Sequence, residues 1–78
     1  MTTQIKRSSA IVRVALPVPL RRTFDYRVDE TMPLPTVGMR VLVPVRQRSL
    51  VGVVTAVSVK PSVNLSKLRT VIQVIDNI

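Results

Sequence analysis

The chain is 78 residues long, and its 12 Lys and Arg residues against 4 Asp and Glu residues give it a formal net charge of +8. That length suffices for one small domain with a thin core. His and Cys are both absent, which excludes disulfides, thiolate metal sites and the usual His- or Cys-based catalysis in this chain. No apolar run approaches the roughly 18 residues of a membrane-spanning helix, so we expect a cytoplasmic location without membrane contact.

The chain begins with a polar, basic stretch. Residues 1–9 offer little to bury, so we predict a disordered basic tail there and a β-barrel domain over residues 10–78. Apolar residues alternate over 11–16, which predicts a first strand. We expect Pro17 and Pro19 to end this strand because each removes a backbone donor.

Alternation returns over residues 23–28 and predicts a second strand. The pattern directs Phe24 and Tyr26 toward the core and Asp25 toward the opposite face. These two rings are the only aromatic side chains of the chain. The core is therefore expected to be mostly aliphatic.

Residues 29–38 are punctuated by Pro and Gly and predict a turn region. A third strand is predicted over 39–43, and we expect Pro44 to end it. The following segment, 45–49, is interpreted as a loop between paired strands.

Residues 50–59 are rich in β-branched side chains and predict a long fourth strand. Its odd-numbered residues share one face, and Gly52 lies on the other, where a bulge or bend is expected. Residues 61–67 are interpreted as a connection and 69–75 as a last strand. About five to six short strands without helical periodicity favour an all-β fold, a small OB-like barrel that is closed or nearly closed.

The basic excess favours a polyanionic partner, because cations attract phosphates without regard to sequence. Most of these cations are Arg, which suits bidentate phosphate contact and stacking on bases. Charge alone also allows an anionic membrane or an acidic protein as the partner.

Catalysis by this chain is not expected. Asp29 and Glu30 adjoin a turn, and Asp76 lies near the end of the chain, so we interpret all three as solvated charges. A phosphate-binding loop needs a Gly-Lys-Ser/Thr step, which neither Gly38 nor Gly52 supplies. We therefore predict no catalytic or metal-ligating residues and no bound cofactor in this chain.

Asp25 is unusual because it lies on a predicted strand in a strongly basic protein, shortly after Arg21 and Arg22. Two interpretations stay open. The carboxylate accepts hydrogen bonds from an uncharged ligand group, such as a base edge or a sugar hydroxyl, or it forms an ion pair with Arg27 or Arg13 across the sheet.

Four motifs resemble the opening of the PriA family, the primosomal N′ proteins of bacterial replication restart. The first is ALPVPL at 15–20 followed by TFDY at 23–26, which fits the family's V-x-L-x-x-P-L-x-x-x-F-D-Y. The others are VGMRVLVP at 37–44, LVGVV at 50–54 and LRTVIQVID at 68–76. Together they cover residues 12–76 in order.

The resemblance implies an N-terminal DNA-binding barrel that captures the 3′ end of the nascent leading strand at stalled replication forks. Members of the family are ATP-dependent 3′–5′ DNA helicases that assemble primosome proteins, and single-strand-binding protein is an expected partner. The ATP and zinc sites lie further along the family's chain. This chain is thus interpreted as an N-terminal fragment of a larger, nucleoid-associated helicase.

The resemblance also assigns site residues. The family's end-binding pocket uses a Phe-Asp pair, which falls on Phe24 and Asp25. Arg69 takes the place of a Lys, and Arg46 takes the place of a Gly. Arg46 and Arg48, on the predicted loop, are expected to contact phosphates, and Arg21 and Arg22 are further candidates for DNA contact.

Within this scheme Asp25 is expected to select a strand end. A terminal nucleotide offers a 3′ hydroxyl that can donate to a carboxylate, whereas the interior of a strand offers a phosphate that a carboxylate repels. Two other classes stay open, a generic RNA- or DNA-binding barrel and a protein-interaction barrel. Few aromatic side chains argue against the first, and the high positive charge argues against the second.

Overall fold

The computed structural model describes residues 10–18, 23–60 and 67–76, and these residues form one antiparallel sheet of five strands in the order β2-β1-β4-β3-β5. The strands are β1 Ala10–Ala15, β2 Thr23–Val28, β3 Arg40–Val45, β4 Arg48–Val57 and β5 Gln73–Val74. The predicted all-β, OB-like class is confirmed. The predicted tail over 1–9 lies outside the described residues.

The last segment connects the two outer parts of the sheet. The backbone N–H of Arg27, in β2, donates to the Arg69 carbonyl at 2.9 Å, and that of Val71 donates to the Arg27 carbonyl at 2.8 Å. A few residues on, the N–H of Ile72 donates to the carbonyl of Leu42 in β3 at 2.8 Å. The sheet is not closed, but this one segment pairs with backbone groups of both β2 and β3, which leaves fewer of them free to pair with another chain.

Only Gln73–Val74 of the predicted last strand, 69–75, is regular strand. The rest of the segment is irregular because it bridges two different strands. The segment pairs in parallel with β2 at Thr70 and in antiparallel fashion with β3 through β5. A chain that changes partners within a few residues leaves little room for a regular ladder.

The core lies on the inner face of the sheet and is mostly valine, in agreement with the aliphatic core expected from a chain with only two aromatic side chains. The buried cluster consists of Val12, Val14, Leu16, Tyr26, Val28, Val41, Val43, Val54 and Val71. These side chains contribute about 1.5–3 kcal/mol each when fully buried, and the core that they build is thin.

Pro44 does not end the third strand. It lies inside β3, opposite Ser49, and the strand continues to Val45, which pairs with Arg48. On the other side of β3, the pairing with β5 involves only Val41 and Leu42, so no neighbouring strand there requires a backbone donor at the proline. The predicted loop over 45–49 is therefore wrong, and the turn contains only Arg46 and Gln47.

The irregularity of β4 lies at Thr55 and not at Gly52. Arg13 pairs with Ala56 but the next residue, Val14, pairs with Val54, so Thr55 is the extra residue of a bulge. Its hydroxyl donates to the Arg13 carbonyl at 3.2 Å. The bulge therefore lies directly beside Arg13.

Gly52 serves a different purpose, the close packing of β4 on β1. A Cβ at this position would overlap the Val14 side chain and would lie 2.8 Å from both the Ala15 carbonyl oxygen and Leu16 Cδ2. Gly52 is thus required by contact with its neighbours.

The odd-numbered residues of β4 share the outward face. Val51, Val53 and Val57 are 41–42% exposed. The described part of the chain contains no helix that is long and apolar enough to cross a membrane.

Candidate nucleic-acid interface

Asp25 faces Arg13 across the β1–β2 pair. Arg13 Nε donates to Asp25 Oδ1 at 3.0 Å, and the two side chains are 38% and 6% exposed, respectively. The ion pair with Arg13, one of the two interpretations that the sequence left open, is therefore present. The carboxylate is held just beneath the surface by a half-exposed cation.

Phe24 and Tyr26 point to the other side of β2. Phe24 is half-buried and packs against the core cluster, and Tyr26 is buried, as predicted. The Tyr26 hydroxyl donates to the Pro44 carbonyl at 2.9 Å. Burial raises the pKa of Tyr26, and the positive charge of Arg69 partly offsets this rise.

Arg46 begins the two-residue turn between β3 and β4 with a φ of 56°. A positive φ at the first central residue of such a turn favours Gly. The resemblance places a Gly at this position, and the backbone conformation gives the physical reason. The side chain of Arg46 is exposed, so it adds a cation at the tip of the hairpin at the expense of backbone strain.

Arg69 contacts this turn directly. Its guanidinium Nη1 donates to the Arg46 carbonyl at 2.8 Å, while its own carbonyl accepts from Arg27 in β2. Two residues that the resemblance assigns to one pocket are thus in contact, and the backbone of one of them lies against the strand that carries Phe24 and Asp25. The acceptor is the backbone carbonyl of Arg46, so the Arg46 guanidinium takes no part in this hydrogen bond.

Arg48 is exposed but does not lie in a loop. It is the first residue of β4 and pairs with Val45, so its predicted loop position is wrong. Arg46 in the turn and Arg48 at the start of β4 are both exposed, so both cations lie at the same end of the hairpin. Arg21 and Arg22 lie outside the described residues, so their expected DNA contacts stay predictions.

Asp76 lies at the surface, as expected, but it also forms an ion pair. Its carboxylate accepts from the Arg40 backbone N–H at 2.9 Å and from the Arg40 guanidinium through Nε and Nη2, the shortest bond measuring 2.8 Å. These hydrogen bonds hold the pKa of Asp76 below its usual range. The sequence did not reveal this pairing because the partner lies 36 residues away and no local pattern connects the two.

The acidic residues offer little to a metal ion. No group of three or more His, Cys, Asp or Glu side chains within the ranges described above could hold one. What the arrangement offers a ligand is a carboxylate paired with a guanidinium on β1–β2, and exposed cations at the β3–β4 turn and at Arg69.

Comparison with known proteins agrees with the resemblance. A family model described as the 3′ DNA-binding domain (3′BD) of PriA matches residues 13–78. The replication restart protein PriA of Haemophilus influenzae is 46% identical over 66 residues. The PriA proteins of Buchnera aphidicola from Schizaphis graminum and from Acyrthosiphon pisum are 36% and 33% identical over the same length. Each alignment spans 85% of this chain but 9% of the relative.

Proposed function

The chain belongs to the family of PriA 3′ DNA-binding domains, and from that premise we propose that it captures a free 3′-hydroxyl end of DNA, such as the nascent leading strand at a stalled fork. The observation that carries the proposal is the contact between Arg69 and the Arg46 carbonyl. It supports one pocket, because the backbone of Arg69 also pairs with the strand that carries Phe24 and Asp25.

The chemistry of the end supports the same proposal. An ionised carboxylate only accepts hydrogen bonds and offers about four lone-pair sites, so a bond from Arg13 does not exhaust the capacity of Asp25. A 3′ hydroxyl supplies a donor, whereas a 3′ phosphate supplies negative charge. The exposed cations Arg46, Arg48 and Arg69 attract the phosphates of any strand, and the acid adds the preference for an end.

We also propose the wider setting. The parent protein is an ATP-dependent 3′–5′ DNA helicase of the cytoplasm and nucleoid, which restarts replication with primosome proteins and single-strand-binding protein. Its ATP and zinc sites lie outside this chain, since the matched stretch is only 9% of each relative. This domain then supplies DNA-end recognition to a larger machine.

The test is a fluorescence anisotropy titration of the 78-residue chain with 5′-labelled single strands that end in a 3′ hydroxyl or a 3′ phosphate. A charge-assisted hydrogen bond contributes about 1.5–3 kcal/mol, so we expect the hydroxyl strand to bind roughly ten-fold or more tightly. Equal binding of both strands would indicate a generic nucleic-acid barrel. Negligible binding of both would indicate a protein-interaction barrel.

A further inference from the structure

Arg13 is not among the residues that the family resemblance assigns to the pocket, yet its guanidinium forms an ion pair with Asp25. The pair is asymmetric, because the acid is 6% exposed and the arginine is 38% exposed. A ligand that approaches Asp25 from solvent therefore encounters the Arg13 guanidinium at the same time.

The geometry of the bond matters. Arg13 donates to Asp25 through Nε, and a guanidinium carries further donors on its two terminal nitrogens in a rigid fork. Arg40 provides the contrast, because it directs both Nε and Nη2 at Asp76. The two arginines are thus used differently, because Arg13 makes its ion pair through Nε and its terminal nitrogens lie outside that bond.

We propose that Arg13 is a DNA-contacting residue that binds the last internucleotide phosphate, while its Nε holds the Asp25 carboxylate toward the terminal hydroxyl. The inference rests on the proposed end recognition and deepens it. A terminal nucleotide carries a hydroxyl donor on its 3′ side and an anionic phosphate on its 5′ side. An acceptor joined to a cation matches both groups of one nucleotide.

The backbone around Arg13 supports a positioning role. The bulge at Thr55 lies opposite Arg13, and the Thr55 hydroxyl donates to the Arg13 carbonyl at 3.2 Å. Bulges redirect side chains and are common beside functional sites. Strand β1, which carries Arg13, is also held in place by its inner face, where Val12 and Val14 are fully buried.

The test removes the charge of the phosphate and the charge of Arg13 separately and together. The probe is a 5′-labelled single strand with a 3′ hydroxyl whose last linkage is either a normal phosphate or a neutral methylphosphonate. For the unmodified chain we expect the neutral linkage to weaken binding roughly ten-fold. Arg13→Gln should weaken binding of the normal strand by a similar factor and should be insensitive to the neutral linkage.

Arg48→Gln is the matched control, because it removes one exposed cation that lies eight residues along β4 from Ala56, the residue paired with Arg13. The fold-loss of affinity caused by Arg48→Gln and the fold-loss caused by the neutral linkage should multiply when the two changes are combined. If Arg13→Gln remains as sensitive to the neutral linkage as the unmodified chain, the inference is overturned. The proposed function is judged separately, by whether the unmodified chain distinguishes a 3′ hydroxyl from a 3′ phosphate.

A second variant distinguishes a loss of binding from a loss of folding. Arg13→Gln leaves a nearly buried carboxylate without this partner, so a thermal melt accompanies each titration. The double variant Arg13→Gln with Asp25→Asn removes both charges and avoids that cost. It should likewise be insensitive to the neutral linkage, and retained sensitivity in a folded double variant would overturn the inference.

Discussion

Two arginine–aspartate pairs lie in this small sheet and are built in opposite ways. Arg40 and Asp76 are 58% and 23% exposed, and the carboxylate receives both guanidinium and backbone donors from one residue. Arg13 and Asp25 are 38% and 6% exposed, and one guanidinium nitrogen makes the bond. In the first pair, two guanidinium nitrogens and the backbone N–H of one arginine bind a partly exposed acid. In the second, one nitrogen of a partly exposed arginine binds an almost buried acid.

We interpret the difference as that between a structural pair and the proposed recognition pair. Arg40–Asp76 fastens the last segment to β3, and the same segment carries Arg69 to the β3–β4 turn. Arg13–Asp25 joins two strands that already have a full ladder of pairing. The sheet therefore needs the first pair more for its architecture, and we expect the second to matter more for binding.

The largest expected effect is on binding. Asp25→Ala should weaken binding to a 3′-hydroxyl strand about ten-fold or more and change binding to a 3′-phosphate strand much less. Asp76→Ala is the matched control because it also removes one negative charge, and it should leave the preference for the hydroxyl end unchanged. Anisotropy titrations with both strands measure the effect. Equal losses for the two substitutions would abolish the distinction between the pairs.

The next effect is on stability. Gly52→Ala places a methyl group against Val14 and the Ala15 carbonyl of β1, and overpacking of this kind costs about 1–3 kcal/mol. In a domain of this size each kcal/mol lowers the melting temperature by about 4–8 °C. A thermal melt by circular dichroism measures it. An unchanged melting temperature would show that β1, which carries Arg13, does not depend on this close contact.

A smaller effect is expected at the turn. Arg46→Gly relieves a positive φ that costs a residue with a side chain about 1–2 kcal/mol, although glycine also gains entropy when the chain unfolds. We expect a net stabilisation of less than about 1 kcal/mol, together with weaker, less salt-dependent binding to both strand types. Denaturant unfolding and a salt series measure the two changes. A destabilised variant would show that the arginine side chain stabilises the turn.

The smallest effect is a pH dependence. Because Arg40 lowers the pKa of Asp76 in the folded chain, this group stabilises the fold above its unfolded pKa of about 3.9, and the contribution is lost as pH falls through the lower folded pKa. Asp76→Asn should therefore reduce the loss of stability on acidification below about pH 4. Urea unfolding at several pH values provides the measurement. A variant with the same acid sensitivity as the unmodified chain would contradict a structural role for this pair.

The regular strands were predictable where one face meets the core. Alternation located β2 at its observed bounds and β1 within one residue, because inner positions such as Val12, Val14 and Val28 are fully buried. The prediction that Pro44 ends the third strand failed because a strand tolerates proline where the neighbouring strand does not extend far enough to need its backbone donor. The bulge was placed at Gly52 because glycine signals both bulges and close packing, and only the register separates the two.

The candidate site was predictable to a different degree. The resemblance located Asp25, Arg46 and Arg69 in the sequence, and the structure adds the contact between the last two. Residue patterns alone left the partner of Asp25 open between Arg13 and Arg27. They missed Arg40–Asp76 because long-range pairing depends on how the last segment crosses the sheet.

The most direct test of end recognition observes both carboxylates in one experiment. The side-chain carboxyl ¹³C resonances of Asp25 and Asp76 are followed by NMR as a short single strand with a 3′ hydroxyl, and then one with a 3′ phosphate, is added to the chain. We predict that the Asp25 resonance shifts with the hydroxyl strand only, while that of Asp76 stays in place with both. An unmoved Asp25 resonance at saturation, or the same shift with the 3′-phosphate strand, would contradict the claim that this carboxylate recognises the strand end.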